Sequence, residues 1–271
     1  MKYKLIITDV DGTLVDDKQK ILPINYETIL QFQNQGGIIT LATGRSEISA
    51  NNFLVKLNIN APAILYNGAA IYDTCTKTFI WEKFLKVEVV RLVMETIKNY
   101  HKISPILYPI NSKQPITREI DDAILDYMKK DNVKCITIDY ENIIHIPIRK
   151  ILLIGTSDLL LSFLENLKIK TGESYSVNCV KSQENYLEFL PEGVSKGKAL
   201  NILVKRLGIT LDEVIAIGDN LNDLEMIEMA GIGAAVANAH PKLKEKAKYV
   251  SSLTNEEGAV AEIIKKFCLV S

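Results

Sequence analysis

The sequence predicts an α/β fold, a Rossmann-like parallel sheet carrying an inserted α+β segment, and three observations lead to it. Short apolar runs alternate with amphipathic stretches at both ends of the chain. Three of those runs stop at polar groups, "DVDGT", "TGR" and "NG", where open α/β sheets gather ligand chemistry. Between about 82 and 190 the alternation changes character, with shorter strands and a different order of elements.

Taken in order, residues 4–8, "KLIIT", form an apolar run suited to a strand buried on both faces. Residues 24–35 have helical spacing and stop at Gly36-Gly37. "IITLAT" reads as the second strand, "SEISANNFLVKL" as a helix with a serine at its start, and "APAILYNGA" as a third strand that turns at Asn67-Gly68. These make a βαβαβ unit. In the middle segment, helices are expected at 86–100, 117–130 and 158–169, with strands at "SPILY", "CITID", "KILLIGT", "YSVNCV" and "YLEFLP". The first pattern then returns: helix "SKGKALNILVKRLG", strand "EVIAIGD", helix "NLNDLEMIEMAG", short strands "IGAAVA" and "KYV", and a closing helix "EEGAVAEIIKKF". The expected organisation is a core of 1–81 and 191–271, with 82–190 inserted into it.

Composition narrows the function classes. Of 271 residues, 47% are hydrophobic and 24% charged, a globular balance. With 32 basic and 33 acidic residues the formal net charge is -1, which supplies no field for a nucleic acid backbone or an anionic membrane. The lysines of "PKLKEKAKY" fit a solvated helix face. Cys75, Cys135, Cys179 and Cys268 lack metal spacing, as do His101, His145 and His240, and no run is long and apolar enough for a signal peptide or a membrane span. A cytoplasmic protein acting on small molecules is the expectation.

Asp9 and Asp11 stand at the end of the first strand, two residues apart, where an extended backbone would aim both carboxylates to one side. Like charges so close call for a cation or a shared proton. Asp-Gly is also an ordinary turn dipeptide, and the calcium-loop spacing fails because Gly12 arrives two positions early. Thr43-Gly44-Arg45 offers a hydroxyl and backbone N–H groups at a helix start, a setting for an anion. Asp219 ends a strand, and Asn222 and Asp223 follow on the next helical turn. The two aspartates supply hard oxygens suited to magnesium, although the same residues also cap helices. Lys196 opens another helix and offers a fixed positive charge.

"DVDGTL", "TGR", "VSKGKAL" and "GDNLNDLEM", in this order around an insertion, resemble the four motifs of the haloacid dehalogenase (HAD) superfamily, most closely its Cof-type phosphatases with a type IIB α/β cap. "LYNGA" and "NEEGAVAEII" fit the same group, whereas "AAVANAH" departs from its usual VAMGNA-like reading. The resemblance implies a HAD core formed by 1–81 and 191–271, and a substrate-reading cap at 82–190. It implies Asp9 as nucleophile and Asp11 as general acid and base. Mg2+ would lie on Asp9, the Asp11 backbone carbonyl, Asp219 and Asp223, and the phosphoryl oxygens on Thr43, the Gly44 amide, Lys196 and Asn222. The implied activity is Mg-dependent hydrolysis of small phosphorylated metabolites through an aspartyl-phosphate. Two alternatives share the motifs: a sugar phosphomutase, and a non-catalytic regulatory protein on the same fold. An ion-pumping ATPase fits poorly, since Asp11 stands where those pumps usually have Thr.

Overall fold

The structure, a computed structural model, describes residues 2–110, 112, 114–171 and 177–269. The chain divides into two compact units, Met1–Trp81 with Ser195–Ser271, and Glu82–Val194.

The first unit begins with β1 (Leu5–Thr8), whose four residues are all buried. α1 (Pro23–Asn34) starts with proline at its first position, where no N–H is needed, and buries Asn25, Thr28, Ile29 and Phe32. β2 (Ile38–Leu41) follows, then α2 (Glu47–Lys56), whose N-cap Ser46 accepts a hydrogen bond from the Ser49 amide at 3.2 Å. β3 (Ala63–Leu65), β4 (Ala70–Asp73) and β5 (Thr78–Glu82) form a separate three-stranded sheet. The third strand thus differs from the expected βαβαβ unit: it pairs antiparallel with β4 and touches the main sheet through one parallel bridge, Ala42 with Ile64. The cause lies in the tight reversal after it, where Tyr66 and Asn67 both take φ of 53°.

The second unit holds α3 (Val87–Ile97), β6 (Ser104–Pro109), β7 (Ile116–Thr117), α4 (Asp122–Asp131), β8 (Ile136–Thr137), β9 (Ile148–Ile154), α5 (Ser157–Thr171), β10 (Cys179–Gln183) and β11 (Tyr186–Phe189). Its six strands run in the order β10-β11-β9-β6-β7-β8. Val93 of α3 and Phe163 of α5 pack with Leu107, Ile151, Leu153 and Phe189 into one apolar core. Lys150 and Leu152 alternate with those core positions along β9, and Lys150 forms a buried pair with Glu188 of β11 at 3.0 Å. The helix expected at 117–130 starts later: Ile116 and Thr117 pair with β6, and Asp121 caps α4 by accepting the Ile124 amide at 2.8 Å. The expected strand "YSVNCV" is shifted to β10, and its first two residues lie outside the described ones. The two ends of this unit are tied together, Lys83 Nζ donating to the Glu192 carbonyl at 2.6 Å and Lys86 pairing with the Glu192 carboxylate at 2.6 Å.

The chain returns to the first unit with α6 (Lys196–Leu207), β12 (Val214–Gly218), α7 (Leu224–Met229), β13 (Ile232–Ala235), α8 (Pro241–Lys246), β14 (Tyr249–Val250) and α9 (Ala259–Phe267). The five-stranded sheet has the order β14-β13-β12-β1-β2, and its named pairings are all parallel. β1 is an interior strand between β12 and β2, with Leu5 opposite both Val214 and Ile38. The single helix expected over "NLNDLEMIEMAG" is a 3₁₀ turn, Leu221–Asp223, followed by the short α7, because Asp223 turns its carboxylate back onto preceding amides. Among the described residues no helix is long and apolar enough to cross a membrane.

Candidate active site

The sheet presents its polar residues just past β1, β2 and β12, and α6 adds its first residue to them. Asp9 continues the strand hydrogen bonding, its amide donating to the Ile217 carbonyl at 2.9 Å. Beyond it the backbone leaves the extended form: the Leu14 amide bonds back to the Val10 carbonyl at 3.0 Å, and Gly12 takes φ of 72°. The strand alternation expected to align Asp9 with Asp11 therefore stops between them. Each carboxylate instead has its own cation, Lys196 for Asp9 and Arg45 for Asp11.

Lys196 is buried, 1% exposed, between two carboxylates. Its Nζ lies 2.9 Å from Asp9 Oδ1 and 2.7 Å from Asp223 Oδ1. Ser195 caps the helix that delivers it, accepting the Lys198 amide at 3.1 Å. Asp223, fully buried, uses its other oxygen to accept the amides of Asp219 at 3.0 Å and Asn220 at 3.2 Å. Asp219 Oδ1 accepts from the Thr13 hydroxyl at 2.9 Å. Asp9, Asp219 and Asp223 each offer an oxygen within 4.8 Å of the others.

The electrostatics of this group are unbalanced. Burial raises the Asp9 carboxyl well above the usual carboxylate range, Lys196 opposes the rise, and Asp223 and Asp219 add to it. Asp219 is pushed up to about 7 by removal from water and by Asp223, against the Thr13 hydrogen bond and Lys196. Burial works against the Lys196 charge, but Asp223 and Asp9 outweigh it and hold its pKa above the ordinary value. Three carboxylates facing one ammonium leave excess negative charge in a site of hard oxygen donors, and a divalent cation fits that excess.

Thr43, Gly44 and Asn222 meet around a residue to which the sequence reading assigned no role. Asn67 donates its amide to the Thr43 carbonyl at 3.0 Å, and its Oδ1 accepts from Asn222 Nδ2 at 3.0 Å. Asn222 Oδ1 is buried without a hydrogen-bond partner among the described residues. A Cβ on Gly44 would lie 2.9 Å from Asn67 Nδ2, so the glycine permits this approach. The "NG" dipeptide marked a turn in the sequence, but only the fold shows that the turn reaches Asn222. In "AAVANAH", Asn238 donates to the Gly12 carbonyl at 2.8 Å, while its Oδ1 accepts the Asn255 amide at 3.0 Å, so the departing segment still braces the loop after Asp9. Arg45, the third residue of "TGR", is the ion-pair partner of Asp11, a part that the motif's spacing does not announce.

Gly12 connects this loop to the carboxylate group. An added Cβ would stand 2.6 Å from Asp219 Oδ2, at a φ that side chains rarely adopt. Gly12→Ala should therefore destabilise the protein by about 1–2 kcal/mol and displace Asp219. Thermal unfolding and turnover should fall together, and unchanged turnover would show that Asp219 is not needed where it stands.

A parallel sheet with carboxylates at its strand ends beside a lysine-bearing helix is an α/β core of the class that gathers ligand chemistry at its strand ends. A family profile described as haloacid dehalogenase-like hydrolase matches residues 6–264, and the chain belongs to that family. It is an enzyme, a phosphatase. A haloacid dehalogenase-like hydrolase from Bacteroides thetaiotaomicron is 33% identical, with 97% of this chain and 99% of that one covered and a TM-score of 0.87. The 5-amino-6-(5-phospho-D-ribitylamino)uracil phosphatase YcsE of Bacillus subtilis is 27% identical, with 98% of this chain and 96% of the relative covered. The HAD subclass IIB sugar phosphatase BT4131, at 20% identity, shares the fold with a TM-score of 0.85 and coverage of 98% and 100%.

Proposed function

We propose that the protein is a Mg2+-dependent phosphatase of small phosphorylated metabolites, sugar phosphates or cofactor phosphates, working through an aspartyl-phosphate at Asp9. The observation that carries this reading is the buried Lys196 spanning Asp9 and Asp223, with Asp219 alongside. Asp9, Asp219, Asp223 and the Asp11 backbone carbonyl would hold Mg2+. When bound, it supplies charge neutralisation that lets a carboxylate approach a phosphate anion.

In the first step Asp9 attacks phosphorus, and the bond to the leaving oxygen breaks as Asp11 gives that oxygen a proton. In the second, Asp11 takes a proton from water as the water oxygen bonds to phosphorus, freeing Asp9 and inorganic phosphate. Lys196, Thr43, the Gly44 amide and Asn222 would hold the equatorial phosphoryl oxygens, where developing charge is best stabilised. The 82–194 unit would act as the cap that reads the leaving group, since every residue in these roles lies outside it. YcsE carries a name that makes a small phosphorylated molecule its own substrate, which supports the same substrate class here. The four cysteines are free thiols, which suits a reducing, cytoplasmic setting. Phosphate release across a panel of phosphorylated metabolites tests the substrate class, and activity confined to phosphoproteins would overturn it.

Metal removal has a definite sign. Chelation should abolish turnover, Mg2+ should restore it and Ca2+ should not, because the larger shell of calcium misplaces the nucleophile. With its pKa at about 7, Asp219 keeps a proton in the metal-free folded state at pH values where the unfolded carboxyl has lost it. The stability it contributes is full at acid pH and is lost as pH rises through about 7. A cation replaces that proton, so the Mg2+-induced rise in Tm should be larger near pH 8 than near pH 5.5, both rough settings. A Tm rise independent of pH would remove Asp219 from the metal group.

A further inference from the structure

Asp11 has its own set of partners. Arg45 Nε donates to Asp11 Oδ2 at 2.8 Å and Nη2 to Oδ1 at 2.7 Å, a two-pronged grip on both oxygens. Arg45 is itself fixed: Nη1 donates to Ser49 Oγ at 2.9 Å, and the guanidinium carbon sits 5.2 Å from the Phe53 ring centroid, both residues lying on α2. Only 5% of it is exposed. Gln19 closes the group, Nε2 donating to Asp11 Oδ1 at 3.2 Å while Oε1 accepts from Arg45 Nη2. Gln19 occupies a turn closed by the Val15–Ile21 bridge and takes a left-handed φ of 61°, unusual outside glycine. Such strain persists where surrounding contacts over-determine it.

We propose that Arg45 and Gln19 are positioning residues for Asp11. They fix the rotamer of its carboxylate on the flank of α2, so that the proton-carrying oxygen is aimed before each transfer. This rests on the acid–base reading of Asp11 given above. A carboxylate gripped this way must release one contact to carry a proton, and the three-membered arrangement lets one contact open while another keeps the orientation. Gln19, neutral and on a turn, is suited to adjust, whereas Arg45 is anchored by Ser49 and Phe53.

The experiment measures kcat/KM for phenyl phosphate, which needs its leaving oxygen protonated, and for p-nitrophenyl phosphate, which needs this far less. That ratio of constants covers the steps through phosphorylation of Asp9. Arg45→Ala should lose about a hundredfold on phenyl phosphate and about tenfold or less on p-nitrophenyl phosphate. Gln19→Ala should show the same selectivity at about three- to tenfold, without a change in circular dichroism. Arg45→Lys should fall between, because one ammonium cannot grip both oxygens. In an Asp11→Asn background neither further change should add a loss, since both act through the missing acid. Losses that are equal for the two substrates, or that multiply undiminished in the Asp11→Asn background, would overturn the proposal and assign Arg45 to phosphate binding or to folding. Gln19→Ala with wild-type constants for both substrates would overturn the part given to Gln19. If Asp11→Asn alone leaves phenyl phosphate turnover intact, the acid–base reading of Asp11 falls, and this inference with it.

Discussion

Asp9→Asn should lower turnover by at least about a thousandfold while leaving the fold intact, because an amide of nearly the same shape cannot attack phosphorus. The structure explains why the fold should survive. Asp9 is held by its backbone amide to Ile217, and its side chain touches Lys196, which retains Asp223 as a partner. The substitution also removes one of the mutually repelling carboxylates whose burial raises the Asp9 pKa, so unfolding should occur at an equal or higher denaturant concentration. Loss of activity alone does not identify a nucleophile. Beryllofluoride should therefore form its phosphoryl-like adduct on Asp9 of the wild-type protein and none on the variant. An adduct on another carboxylate, or turnover above a few per cent in the variant, would remove Asp9 from the role.

Lys196→Ala should be damaging in two separable ways. Removing one member of a buried ion pair strands its partner, a loss of about 3–5 kcal/mol, and here two carboxylates are stranded together. The rate should also fall by about a hundredfold to a thousandfold, because a preorganised cation next to the transferring group is lost. The two effects part company in the double variant Lys196→Ala with Asp223→Asn. Neutralising Asp223 relieves the stranded charge, so much of the lost stability should return, whereas the rate should not. Equilibrium unfolding and kcat/KM measured on the same three proteins decide the matter. Recovery of both quantities together would mean that Lys196 is structural, and recovery of neither would mean that the coupling to Asp223 is weaker than the 2.7 Å contact implies.

The core sheet was legible in the sequence because β1, β2, β12 and β13 are apolar runs bounded by turn residues, and helices of regular amphipathic spacing separate them. The third strand was placed but mispaired. Its pairing depends on a reversal through Tyr66 and Asn67 in the left-handed region, and propensity does not foresee a tyrosine there. The start of α4 was set too early, since Thr117 and Asp121 are both acceptable caps and only the pairing of Ile116–Thr117 with β6 decides between them. For the candidate site, the aspartates, Thr43, Lys196 and Asn222 were visible as polar residues at strand and helix ends. Two of their partners, Gln19 and Asn67, were not. Gln19 lies eight residues after Asp11 in an exposed-looking turn, and Asn67 is 155 residues from Asn222. Such distances are spanned only once the chain is folded, and no local pattern announces them.

The ties between Lys83, Lys86 and Glu192 bear on the order in which the chain takes shape. β1 and its neighbour β12 pair Leu5 with Val214, so β1 must wait for residues made long after it during synthesis. Joining two strands across so long an unfolded stretch carries a loop-closure entropy that rises with its length. If the Glu82–Val194 unit folds first, its own ends are already drawn together, and the connection that β12 must span becomes short in space. The late-arriving half of the sheet then docks its β12 in parallel onto a waiting β1, and a segment inserted into the middle of a nascent core need not slow its assembly.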